Sequence, residues 1–530
     1  MAEAELSTRA PVLGSRAAVS AGHPLAAEAA LEVLTAGGNV VDAALAASGV
    51  ASVVEPAWCG IGGDGFLLVH QADGPTVAFN GSGAAPMALT DDVVGAGAVP
   101  RSGPLSIAVP GLVGGWKAAR RFTTRPLHVL LEPAVAYAHD GFPVYPRLAR
   151  AISALESAAD VSPGLAALIA SNGRDAGATF RQPDLARSLT EIASDPDVMY
   201  RGELGGSIVA GLSARGGALS TSDLEEHDVA WSEPLRVPYR GYEVVTNPLV
   251  SLGCVLLAQL RILEGFDLRR FDMGDPGLVE LEVASAAAAA SDADRYAGDP
   301  SAVDVPLAWL LSAERAAWWR GRIASGPAQP ERPAVAAGSD TTSIVVADAA
   351  GNVACVLQSL FNEWGSRELV AGTGALLNDR LANVRVGGDH PNRLRPGRRP
   401  LHTLHAYLVL ADGRFVVAGA TPGGRGQSQT NLQVLVNVLD LGADVQAAID
   451  RPRWLRGLPR RGPDDRTVYL EPGMGPDVGV RLRASGHPVE DAPTGGIEAF
   501  GNCTVVARAP KTGALLAGSD VRRGSVALGW

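Results

Sequence analysis

Apolar residues recur at helical spacing from His23 to Glu55, in two blocks separated by Gly37-Gly38. The first block, Leu25 to Thr35, is rich in Ala, Leu and Glu and predicts a helix that stops at the glycine pair. Asn39 can cap a second helix carrying Val41, Ala44, Leu45 and Val50, with Asp42 near its start, where a carboxylate suits the helix dipole. The pattern then changes: Cys59-Gly60-Ile61-Gly62-Gly63-Asp64-Gly65 leads into the short apolar run Phe66 to Val69, a strand signal. The glycine run matches GxGxxG, but a dinucleotide fingerprint needs a strand before it and a helix after it. Here that order is reversed, so close backbone packing is the expectation and nucleotide binding is not.

From about Leu127 to Arg320 helical periodicity dominates, including Pro248 to Glu264 and Val279 to Tyr296, interrupted by the strand-like Arg236 to Thr246. Ser325 to Gly338 turns to Gly, Pro, Ala and Ser and reads as a mobile connector. Directly after it, Thr341 to Asp348 and Val353 to Leu360 predict two strands joined by the turn Ala-Ala-Gly-Asn. Further strands are expected at Ala406 to Leu410 and Arg414 to Gly419, and a helix near Thr430 to Leu439.

Length and composition narrow the function. A chain of 530 residues exceeds what one core usually organises, so two domains or one large layered unit are both open. The net charge of −11, with no long Lys/Arg run, argues against nucleic-acid and anionic-membrane partners and favours small-molecule chemistry. The first 22 residues do not read as a secretory signal, and Ala284 to Ala290 is too short to span a bilayer, so a cytoplasmic protein is expected. Cys59, Cys254, Cys355 and Cys503 lack CxxC spacing and metal-ligand company, which predicts buried free thiols and no structural zinc.

No GxSxG, HExxH or GxxxxGK[ST] signature occurs, so no metal and no organic cofactor is expected. A threonine hydroxyl becomes a useful nucleophile when a base takes its proton, and a free α-amine on the same residue can be that base. Its reference pKa near 8 suits neutral pH. Such an amine requires cleavage before the threonine. Asp340-Thr341-Thr342, at a linker-to-sheet junction, offers an accessible peptide bond on one side and a rigid mount on the other, although the same triplet also fits plain strand propensity.

Ten stretches in order carry a resemblance to γ-glutamyltransferases. Among them are AGHPLAAEAALEVLTAGGNVVDAA (21–44), VVEPAWCGIGGDGF (53–66), AVPGLVGGW (108–116), DADRYAGDP (292–300), DTTSIVVADAAGNV (340–353), GTGALLND (372–379), RRPLHTLH (398–405) and ATPGGRGQ (420–427). The resemblance implies an α+β fold: a four-layer αββα sandwich of the N-terminal-nucleophile (Ntn) hydrolases, made as one precursor that cuts itself between Asp340 and Thr341. It further implies a heterodimer of residues 1–340 and 341–530, with a higher oligomer left open. Thr341 would be nucleophile and base, Gly423 and Gly424 would supply the oxyanion N–H pair, and Ser359 would contact the nucleophile and assist cleavage.

The resemblance weakens around the substrate. The family's carboxylate-binding arginine falls in a segment that here reads Phe79-Asn80-Gly81-Ser82-Gly83. Where members present Asn, Gln and Asp to the glutamyl amino group, this chain has Phe361, Arg380 and Asn383. His402 and Thr403 replace a serine pair, and Val384 to Arg398 is short, suggesting an open cleft. These changes predict a small non-glutamyl acidic acyl substrate, such as an oxamate-like amide or an oxalyl-releasing step, with Arg380, His402 and Asn80 suited to it. An ordinary γ-glutamyltransferase with a rebuilt pocket and a catalytically silent scaffold stay open as alternatives.

Overall fold

Two seven-stranded antiparallel sheets stack face to face in the computed structural model, which describes residues 9–95, 97–325, 340–458, 465–493 and 496–530. One sheet runs, edge to edge, Val526–Gly529, Ala17–Ala21, Asp340–Asp348, Val353–Phe361, Asp64–His70, Thr76–Asn80 and Ala230–Ser232. The other runs Val12–Gly14, Leu515–Ser519, Thr504–Arg508, Arg414–Ala420, Tyr407–Ala411, Tyr242–Thr246 and Leu235–Tyr239. Side chains alternate between the two faces of a strand, so each inner strand must be apolar on both. Ile344 and Val346 accordingly pack on the outer helices, while Val345 and Ala347 face Leu408, Ala418 and Val506 of the second sheet.

Pro24–Thr35, Val40–Val54 and Leu112–Ala119 cover the outer face of the first sheet, and Leu127–Asp140 packs on Val40–Val54. Gly253–Leu263 and Gly426–Leu439 cover that of the second. The result is the αββα sandwich. Asn39 caps Val40–Val54 in a reciprocal capping box with Asp42, whose carboxylate also ties down Thr124. Every residue of that helix is buried, which explains its many alanines: only small side chains let it sit between neighbouring helices and the sheet.

Several boundaries differ from the sequence reading. Arg236 to Thr246 is a hairpin, Leu235–Tyr239 and Tyr242–Thr246, because Arg240 and Gly241 both take positive φ and reverse the chain. Pro248 to Glu264 shortens to Gly253–Leu263, its first residues forming a turn instead. The Ala-rich Ala17–Ala21, which carries no strand signal of its own, is a fully buried strand beside Asp340–Asp348. The expected connector from Ser325 to Gly338 lies, after Ser325, outside the described residues. All four cysteines are buried free thiols, and no helix among the described residues is long and apolar enough to cross a membrane.

Candidate functional site

Asp340–Asp348 pairs with Val353–Phe361 in regular register from Ala347 to Thr342, which faces Gln358; Asp340 then faces Phe361. Two steps on one strand therefore oppose three on the other, a bulge that re-aims the residues within it. Thr341 sits in this irregularity, and Phe361 absorbs it with φ +89°. The Ser359 hydroxyl crosses the bulge and donates to the carbonyl oxygen of Asp340 at 2.5 Å, while accepting the Phe361 N–H at 2.8 Å. Its backbone is pinned as well, since a Cβ on Gly63 would lie 2.6 Å from the Ser359 carbonyl oxygen. The glycine run thus serves close packing: at Gly62 a Cβ would fall 2.2 Å from the Leu376 carbonyl oxygen.

The Asp340–Thr341 bond is not the accessible linkage expected from the sequence. Asp340 is 8% and Thr341 4% exposed, because the strand begins at Asp340 itself, already paired opposite Phe361. Arg147 at 3.3 Å and Arg523 at 3.5 Å hold the Asp340 carboxylate. Arg147 also lies 3.6 Å over the Trp58 ring and pairs with Glu498. Burial and the neighbouring Arg147 push Arg523 down to about 10. Buried Glu55 completes this side, its carboxyl raised by burial. None of Arg147, Arg523 and Glu55 could be assigned from sequence, since they meet Asp340 and Thr342 only through folding.

Gly423 and Gly424 follow strand Arg414–Ala420 and lead into helix Gly426–Leu439. Both take positive φ, +129° and +56°, turns that a side chain would strain. Thr504 fastens this strand end to the nucleophile strand, its hydroxyl bonded to Ser343 Oγ at 2.9 Å and to the Ala420 carbonyl at 3.4 Å. Among the described residues, the N–H groups of Gly423 and Gly424 donate to no protein acceptor. They are thus free to meet a negative oxygen.

Around the expected substrate end the structure revises the picture. Arg380 is not a free cation in an open cleft: it is 0% exposed, its Nε donates to Asp64 Oδ2 at 3.0 Å, and it stacks 4.4 Å over Phe361. Burial pulls Arg380 below its ordinary value and raises Asp64, while their mutual attraction opposes both shifts. Nη1 and Nη2 of Arg380 have no partner among the described residues, and neither has either ring nitrogen of His402. His402 packs 5.0 Å from Phe66, and burial, then Arg380, holds it well below 6.5 and neutral. Asn80 commits its side-chain oxygen to the Ser82 N–H and hydroxyl. Asn383 likewise donates to the Leu401 carbonyl at 3.0 Å, and the Thr403 carbonyl lies 2.8 Å from His405 Nδ1. The fold therefore gathers Phe361, Arg380 and His402, with the unforeseen Asp64, whereas Asn80 and Asn383 make local backbone contacts.

The profile of the Gamma-glutamyltranspeptidase family matches residues 26–530. The chain is similar to the Acylase ACY 1 proenzyme of Pseudomonas sp. strain V22, 34% identical over 92% of this chain and 90% of that one. It is 33% identical to the Oxamate amidohydrolase proenzyme of Klebsiella pneumoniae, over 96% and 97%. Its structure is similar to the crystal structure of a cephalosporin acylase from Bacillus halodurans, with TM-score 0.90, 32% identity and coverage of 100% and 99%.

Proposed function

Because this chain belongs to the γ-glutamyltranspeptidase family of Ntn-type acyl hydrolases and transferases, we propose that it cuts itself before Thr341 and then transfers small acidic acyl groups through an ester on that residue. The observation that carries the reading is the Ser359 hydroxyl on the Asp340 carbonyl oxygen at 2.5 Å. A donor there polarises the one carbonyl that Thr341 must attack during maturation. Attack by Thr341 Oγ shifts the Asp340 acyl group from nitrogen to oxygen, and water hydrolyses the ester, leaving residues 1–340 and a chain 341–530 with a free α-amine. Folding presents the bond to its own nucleophile, so the acyl shift needs no solvent, and only the hydrolysis that follows requires one water molecule to reach the ester.

In turnover the α-amine takes the hydroxyl proton as Thr341 attacks the substrate carbonyl. The oxyanion is met by the N–H groups of Gly423 and Gly424, each such donor being worth about 3 kcal/mol. The α-ammonium protonates the departing amine, and water or an amine acceptor releases the acyl group. Arg380 and His402 support the acidic acyl reading, since the buried Nη pair can donate to both oxygens of a carboxylate in fork geometry. One relative is an oxamate amidohydrolase, and turnover of oxamate is here part of the proposal.

N-terminal sequencing of the smaller band on a denaturing gel tests the assignment: it should begin Thr-Thr-Ser-Ile. Thr341→Ala should remain full length, and Ser359→Ala should mature at least tenfold more slowly. A fragment starting elsewhere would remove Thr341 as the nucleophile.

A further inference from the structure

The segment 401–405 is a partition with two different sides. It is bridged at His402 to Ser251, and His402 and its neighbours meet different surroundings. His402 faces Phe66, and the Arg380 charge acts on its ring. Leu401, Thr403 and His405 line a separate cleft together with Leu252, Val255, Ala290 and Gly424. This cleft is mostly apolar. Its rim charges come in both signs, Asp294 paired with Arg425 at 2.9 Å and Asp465 near Arg456, so they do not select a charged guest. In its wall lies Gln259, 1% exposed, with neither Oε1 nor Nε2 partnered among the described residues. A buried carboxamide left without hydrogen bonds is costly, and the complement that repairs it is another planar group offering one donor and one acceptor side by side.

The geometry points to a leaving-group site: the cleft between Gly424 and Gln259 takes an uncharged, ring-sized amine portion of the substrate that carries a carboxamide-type edge. It rests on the reading of Gly423 and Gly424 as oxyanion donors, because Gly424 lines the cleft and would then also meet the reacting carbonyl. The acyl half then lies across the partition, beside Arg380 and His402. The enzyme would discriminate between amides of one acid by their amine.

Two arms test this on the mature enzyme. The first measures direct binding of the product-like amine 4-aminobenzamide, alongside aniline, by saturation-transfer NMR and calorimetry, with no chemistry required. Wild type should bind 4-aminobenzamide at roughly millimolar Kd or tighter, a reasonable range for so few atoms. Ala290→Phe, which fills the cleft, should abolish binding; Gln259→Leu should weaken 4-aminobenzamide about tenfold but not aniline. The second compares kcat/KM for N-(4-carbamoylphenyl)oxamate with that for oxamate, and the ratio of the first to the second should fall at least tenfold in both variants. Binding that survives Ala290→Phe, or a ratio that neither variant moves, would overturn the site. Binding that behaves as expected while neither oxamate is turned over would keep the site and refute the acyl assignment instead.

Discussion

Asp64 decides what can be learned from replacing Arg380. The two form a buried ion pair, with side chains 0% and 1% exposed, and deleting one partner strands the other charge. Such deletions cost about 3–5 kcal/mol, so Arg380→Ala tests folding before it tests substrate binding. Arg380→Lys keeps the charge opposite Asp64 but loses the planar Nη fork. It should mature normally yet raise KM for an acyl donor bearing a carboxylate by about 10- to 100-fold, roughly 1.4–2.7 kcal/mol. Parallel kinetics on oxamate and γ-glutamyl-p-nitroanilide check this; efficient turnover of the glutamyl substrate, unaffected by the change, would favour a rebuilt glutamate pocket. The replacement of a neutral side chain by Arg380 was legible in sequence. Its pairing with Asp64 was not, because 316 residues separate them and only strand Asp64–His70 brings them together.

At the scale of elements, helix Pro276–Tyr296 is joined to strand Trp454–Arg456 by a buried carboxyl. Glu282 Oε2 accepts the Trp454 indole N–H at 2.8 Å, and burial raises its pKa from 4.5 to about 7. Between those values the folded chain keeps a proton that the unfolded chain has released, so this group's contribution falls as pH rises from 4.5 to 7. Once ionised, it costs the fold on the order of 3 kcal/mol. Glu282→Gln retains an acceptor for Trp454 and carries no charge. Thermal unfolding should show little difference from wild type near pH 4.5 and a more stable variant at pH 8; equal midpoints at both would mean Glu282 is not held in the protonated form. Buried His23 and His405, each lowered to about 4 by burial, act in the opposite sense and weaken the fold as pH drops from 6.5 towards 4. Both chains therefore carry pH-sensitive groups, and only the paired comparison isolates Glu282.

For the whole molecule, the proposed cut after residue 340 would not divide the fold. The first sheet interleaves Ala17–Ala21, Asp64–His70, Thr76–Asn80 and Ala230–Ser232 with Asp340–Asp348, Val353–Phe361 and Val526–Gly529. In the second, Val12–Gly14 pairs with Leu515–Ser519 and Tyr242–Thr246 pairs with Tyr407–Ala411, each joining strands from the two sides of residue 340. Separating the fragments would expose both inner faces and leave ladders unpaired. After processing the two chains should run as one species in size-exclusion chromatography and as two on a denaturing gel. Residues 341–530 expressed alone should fail to give a cooperative unfolding transition.

Local rules sufficed for much of this. The two opening helices, with Asn39 as cap, follow from short-range spacing, and so do the hairpin of Asp340–Asp348 with Val353–Phe361 and the reversal of the glycine fingerprint. Ordered motifs along the chain identified the family, since backbone turns such as Gly423-Gly424 demand particular residues at particular places. Tertiary structure decided the rest. Ala17–Ala21 is a strand because its neighbours pair with it, not because alanine prefers strands. The Asp340–Thr341 bond is buried because sheet formation encloses it, and Arg380 is neutralised because a distant carboxylate faces it. Periodicity reports which face of an element is covered; which charge or carbonyl lies opposite depends on contacts hundreds of residues apart.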